Sequence, residues 1–120
     1  MRRKAGTIVP LEREILEASV TLRARGLGEA HGFLLARTIG DQADAKRLTA
    51  YGTLYKALDR LERAGLLESR WEEPQVAADS ARPRRRFYRI TAIGEAALVT
   101  ARAAEAAAIG RPSPSGSPVT

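Results

Sequence analysis

Tyr51-Gly52-Thr53-Leu54-Tyr55-Lys56-Ala57-Leu58-Asp59-Arg60-Leu61-Glu62-Arg63-Ala64-Gly65 is the stretch whose reading decides the fold. Leu54, Ala57, Leu58, Leu61 and Ala64 recur at helical spacing and form an apolar stripe. Gly65 is placed to stop the helix, because the left-handed residue after a helix is most often glycine. The opposite face carries Tyr51, Gly52, Tyr55, Lys56, Asp59, Arg60 and Arg63. A glycine early in a helix costs stability, so Gly52 suggests that a partner approaches the backbone there. Hydroxyls and cations around such a glycine suit phosphates and base edges. A plain amphipathic helix with a solvated outer face explains the same pattern. The decision therefore rests on what flanks it.

After Gly65 the period changes. Leu67, Ser69 and Trp71 alternate along a strand over 66–72. A second strand spans 85–91, with Tyr88 and Ile90 facing inward. The segment 73–84 is too long for a tight hairpin and reads as a mobile loop capping a two-stranded ribbon. Arg82, Arg84, Arg85 and Arg86 make this ribbon the densest positive cluster of the chain. In an extended strand Arg84 and Arg86 share a face and Arg85 takes the other. Arginines fixed on a ribbon beside a helix suit phosphate contacts.

Upstream, Pro10 suits a first helical turn. Leu11, Ile15, Ala18 and Leu22 form one stripe from there, with Leu16 and Val20 beside it. Glu12, Glu14 and Glu17 come early and Arg23 and Arg25 late, which complements the helix dipole and marks the acids as surface residues. A second helix opens over 29–40, with Phe33, Leu34, Leu35 and Ile39 on its buried side. His31 is the chain's one histidine and is read as a cap or packing residue there. Thr49 is a candidate N-cap for the opening helix, and Lys46 and Arg47 just precede it. Downstream, Thr91 caps a last, alanine-rich helix that runs to about Ile109 and stops at Gly110. Ile93, Leu98, Val99 and Ile109 are its only large apolar groups.

The resulting organisation is a basic flexible arm (1–9), a helical and ribbon domain (10–90), a C-terminal helix (91–110) and a disordered Pro/Ser/Gly tail (111–120). The arm could follow a phosphate backbone or enter a minor groove. With 120 residues there is room for one domain. The net charge of +6 favours a polyanionic partner. The absence of cysteine excludes disulfides, thiolate zinc sites and cysteine nucleophiles. There is no apolar run of membrane-spanning length and no signal-peptide core, which fits a cytoplasmic protein. No metal or cofactor is expected. With one histidine and no phosphate-cradling glycine loop, an enzyme is the weakest reading.

Helix, helix, helix, strand, basic loop, strand, helix is the order of a winged helix-turn-helix, a mainly α (α+β) fold. Residues 30–33, 51–67 and 82–94 also resemble the PadR family of bacterial transcriptional regulators, the resemblance running from about Leu11 to about Ala101. It implies a homodimer on a palindromic operator, usually as a repressor, with a small-molecule effector able to release it. It also implies that the C-terminal helix packs on the partner's first helix, with Leu11, Ile15, Leu22, Leu98 and Ile109 at the dimer interface. That helix is short and lacks tryptophan, so a drug-stacking pore is not carried over. The expected DNA contacts are Tyr51, Gly52, Thr53, Tyr55 and Lys56 at the leading end of the recognition helix. Arg60 would sit on the backbone, and Arg82, Arg84, Arg85 and Arg86 would hold flanking phosphates. The competing readings are a winged-helix protein–protein adaptor and a MarR-like regulator, the latter normally with longer flanking helices.

Overall fold

The computed structural model describes residues 8–42 and 51–110. The start of the basic arm, Lys46, Arg47, Thr49 and the C-terminal tail lie outside them. The elements are α1 (Pro10–Ala24), β1 (Ala30–His31), α2 (Gly32–Gln42), α3 (Tyr51–Arg63), β2 (Leu67–Trp71), α4 (Pro74–Asp79), β3 (Arg86–Ile90) and α5 (Ala92–Gly110).

Helix α1 begins with Pro10 at its first position, and Glu12 reaches back to accept the Val9 N–H at 3.1 Å. That carboxylate takes an orphan donor and meets the positive end of the dipole. Helices α1 and α3 end by the same device. Gly26 and Gly65 adopt positive φ (89° and 81°), and the next residue's N–H returns to a carbonyl five residues earlier: Leu27 to Leu22, Leu66 to Leu61. This is the Schellman motif, in which a residue without Cβ takes the left-handed position at no cost. Leu66 and Leu61 are both buried, the apolar contact that accompanies it.

Four corrections to the sequence reading concern the sheet and its surroundings. It has three strands in the order β1-β3-β2, all antiparallel, not two. Ala30 and His31, expected to open α2, instead pair with Tyr88 and Phe87. A two-residue strand has no periodicity to read. The segment after β2 is not a bare loop, because α4 fills it, started by Pro74 and closed by Ala81 at φ 53°. Phe33, expected to be buried, is 56% exposed, so Leu35 and Ile39 carry the inner face of α2.

The core lies between α1, α2, α3 and the inner face of the sheet. It gathers Ile15, Leu16, Ala18, Leu22, Leu35, Ile39, Leu54, Ala57, Leu58, Leu61, Leu66, Leu67, Tyr88, Ile90 and Leu98. Each large aliphatic side chain buried here contributes about 2 kcal/mol. The last helix joins through a close approach. Thr91 donates its hydroxyl to the Gly65 carbonyl at 2.6 Å and accepts the Gly94 N–H at 3.0 Å, capping α5 as expected. A Cβ on Gly94 would sit 2.2 Å from the Leu66 carbonyl oxygen, so only glycine fits there. From that junction α5 runs back along α1 of the same chain. Glu95 pairs with Arg23 at 2.7 Å, Arg102 with Glu17, and Glu105 with Arg13 at 2.7 Å.

Candidate nucleic-acid interface

The expected stripe of α3 points inward except at its end: Leu54, Ala57 and Leu58 are fully buried and Leu61 nearly so, while Ala64 is exposed. The other side is therefore forced out, and Gly52, Thr53, Tyr55, Lys56, Asp59, Arg60 and Arg63 are exposed. The side chain of Tyr51 lies outside the described set. Among the described residues nothing comes within 4 Å of a Cβ built on Gly52. The close approach within the protein is at Gly32 instead. A Cβ there would lie 2.2 Å from the Tyr55 hydroxyl. The Tyr55 ring thus lies across the start of α2, where Gly32 makes room for it.

The cations differ in what they already hold. Among the described residues Lys56 makes no ion pair or hydrogen bond, which leaves its ammonium available to a ligand. Arg63 pairs with Asp59 at 2.7 Å along the helix. Arg60, expected on DNA backbone, donates to Glu12 at 2.9 Å and ties α3 to α1. Glu12 is 2% exposed, which corrects its reading as a surface acid. A buried carboxylate needs a charged partner, and Arg60 supplies it. Its other end remains half exposed.

The ribbon is organised around Glu72, a residue the sequence reading passed over. It is 5% exposed and accepts two hydrogen bonds from Arg82, at 2.6 and 2.8 Å, and one from the Arg85 N–H at 3.2 Å. Its own carbonyl accepts Arg84 Nε at 2.9 Å, and its N–H donates to the Arg85 carbonyl at 2.8 Å. The Arg82 guanidinium, helped by the Arg85 N–H and opposed by desolvation, holds the Glu72 carboxyl down at about 2. Arg82 is thus neutralised inside the ribbon. Arg86 is also engaged: it donates to the Ser69 hydroxyl at 3.0 Å and to Glu62 of α3 at 3.1 Å. Ser69 in turn donates to Glu62 at 2.6 Å.

Arg84 and Arg85 remain. Arg84 meets only a neutral carbonyl and the Trp71 ring, 5.7 Å from its centroid. Among the described residues the exposed Arg85 guanidinium makes no hydrogen bond or ion pair. As expected, Arg84 shares a face with Arg86, both guanidinium groups lying over Trp71. His31 has the capping role expected of it, its Nδ1 accepting the Leu34 N–H at 3.4 Å. Burial first, then Arg85 and Arg82, lowers its pKa and keeps the ring neutral, as an accepting Nδ1 requires.

Helix α5 also makes contacts within the chain. Ile15, Leu22 and Leu98 are 0–2% exposed inside one chain, where α5 packs on its own α1. Leu11 is half-buried against the same core, and Ile109 is 77% exposed. The residues α5 leaves in solvent include Ala92, Ala96, Val99, Ala103 and Ala106, spaced alternately by four and three.

A helix with an open polar face, set against a basic antiparallel ribbon, defines a winged helix-turn-helix protein of the DNA-binding class. The model of the PadR-like family of transcriptional regulators matches residues 22–100. The chain belongs to that family, whose members are DNA-binding regulators rather than enzymes. A PadR family regulator from Eggerthella lenta superposes with a TM-score of 0.54 at 26% identity, covering 80% of each chain. A transcriptional regulator from Clostridium thermocellum shares the fold at TM-score 0.64 and 24% identity, over 81% of this chain and 83% of that one. So does the circadian clock associated protein Pex from Anabaena, at TM-score 0.53 and 22% identity, over 86% and 84%. No curated protein sequence matches significantly. Among the described residues no helix is long and apolar enough to cross a membrane.

Proposed function

We propose that the protein is a repressor that binds a palindromic operator as a homodimer, with α3 in the major groove and the ribbon on the flanking backbone. The observation that carries this is the open face of α3, with Gly52 unobstructed and Lys56 unpaired, beside Arg84 and Arg85. Hydroxyls and a free ammonium at the leading end of a helix can read base edges, while the ribbon cations neutralise phosphate. Tyr51, Thr53, Tyr55 and Lys56 are the reading residues of this proposal. Arg84 and Arg85 are its phosphate clamps.

The dimer surface proposed here is the Ala92, Ala96, Val99, Ala103 and Ala106 stripe of α5, with Ile109 at its end. Its alternating spacing is that of a coiled-coil seam, and small side chains let two helices approach closely. Release by a small molecule belongs to the same proposal.

Selection of bound duplexes from a random pool tests it. The expected result is an inverted repeat bound more tightly than its scrambled version, by a species of twice the chain's mass in sedimentation. Val99→Glu should abolish that species and the preference together. Equal affinity for all duplexes would overturn the operator, and a salt-independent interaction would favour the protein–protein adaptor.

A further inference from the structure

We propose that Trp71, on the ribbon, lies against the deoxyribose–phosphate strand of duplex DNA beside the groove that α3 enters. This rests on the DNA-binding reading above and adds a contact to it.

Trp71 is the chain's one tryptophan and is 53% exposed. Strand alternation places it on the same face of β2 as Leu67 and Ser69. Leu67, at the near end, is 1% exposed in the core. Ser69, in the middle, touches Glu62 of α3. Trp71 is the next residue outward on that face, paired in register with Arg86, whose guanidinium reaches Glu62 of α3, so the indole stands exposed beside that contact between helix and ribbon. A partner lying on the outer face of α3 and extending past it meets the indole.

The surroundings choose the partner. Arg84 and Arg86 each place a guanidinium over the ring, 5.7 and 5.5 Å from its centroid. Cation–π contacts of this kind hold the indole in one orientation without covering it. Only Arg86 has a carboxylate partner, Glu62. Arg84 spends Nε on a backbone carbonyl and keeps its terminal N–H groups for an anion. An apolar plate next to an unneutralised guanidinium matches the repeat of a nucleic-acid strand, in which a sugar alternates with a phosphate. An acidic peptide would supply the anion but no regular apolar surface for the plate.

Because Trp71 is alone, its emission reports on this contact directly. The full chain is titrated with a labelled duplex pool of random sequence, roughly 30 base pairs or three helical turns, at low salt. Label anisotropy follows binding, and acrylamide quenching follows the indole. The expected result is a several-fold drop in quenching as anisotropy rises. Trp71→Ala should weaken binding about tenfold, in the range of a buried aromatic anchor, and Trp71→Phe should restore most of it. Binding that rises while quenching stays unchanged overturns the contact and leaves the DNA-binding reading standing. Unaltered affinity in a folded Trp71→Ala chain does the same. A flat anisotropy trace with every duplex overturns both.

Discussion

Helix α3 and the ribbon present the same chemistry, exposed basic residues, but different physics holds each in place. Helix α3 is fixed by apolar burial: Leu54, Leu58 and Leu61 sink into the core and leave the outer side chains free. The ribbon is fixed by ions. Arg82 is bound to Glu72 and Arg86 to Glu62, so two of its arginines are structural and the charge it can offer a ligand is correspondingly smaller. A count of positive residues is therefore a poor count of phosphate contacts. The relevant number is how many cations lack an internal carboxylate.

The largest effect should come from cutting the apolar anchor. Leu58→Ala removes a fully buried side chain and should cost about 2–5 kcal/mol in a denaturant titration. Changes on the ribbon's ion pairs should leave the α3 amides protected while those of 72–86 exchange faster. Equal loss of protection in both regions would merge the two into one cooperative unit and break the distinction.

Next in size is the split between free and committed cations. Lys56→Ala and Arg85→Ala should each lower the slope of log affinity against log salt by about one. Arg82→Ala should leave that slope nearly unchanged and instead loosen the ribbon, because it strands a buried carboxylate. Glu72→Gln should move the other way, releasing Arg82 to solvent and steepening the salt dependence. If Arg82→Ala lowers the slope as Lys56→Ala does, its pair with Glu72 opens on DNA.

Acid offers a third probe. The Glu72 carboxyl is depressed to about 2 in the folded chain, first of all by Arg82. A depressed carboxyl contributes stability that is complete above its ordinary value of 4.5 and is lost as pH falls from there towards about 2. Glu29, Glu95 and Glu17 are lowered by Arg70, Arg23 and Arg102 and act in the same direction. Ribbon amides near Glu72 should thus lose protection on acidification before those of α3, and Glu72→Gln should remove the difference.

The smallest effect concerns Ala81, a non-glycine residue at φ 53°. Ala81→Gly should stabilise the end of α4 by up to about 1 kcal/mol, since glycine adopts the left-handed region without strain. A loss of stability would mean that the Ala81 methyl contributes packing that outweighs the strain.

Much of the fold was legible beforehand, and for identifiable reasons. The apolar stripe of α3, the stop at Gly65, the alternation of Leu67 and Tyr88 with their neighbours, and the Thr91 cap are all local patterns. Each is fixed by the geometry of a few consecutive residues. What escaped was β1, which is too short to show a period, and α4, which lies in a segment read as loop. The family resemblance named an α1–α5 pairing between chains, and an α1–α5 pairing within one chain went unread. Leu98 is an apolar residue on a helix in either case, and nothing in its spacing says whose α1 it meets.

The candidate interface divides in the same way. By itself the sequence determined which side of α3 faces outward and which residues crowd the ribbon, because helical and strand periods assign faces. Only the tertiary structure decided which of those cations are available. Glu12 and Arg60 lie 48 positions apart and Glu62 and Arg86 lie 24 apart, and each pair meets only once the core has brought its elements together. An ion pair depends on distances of a few ångströms between side chains, and its energy falls off too steeply for any one-dimensional pattern to reveal it.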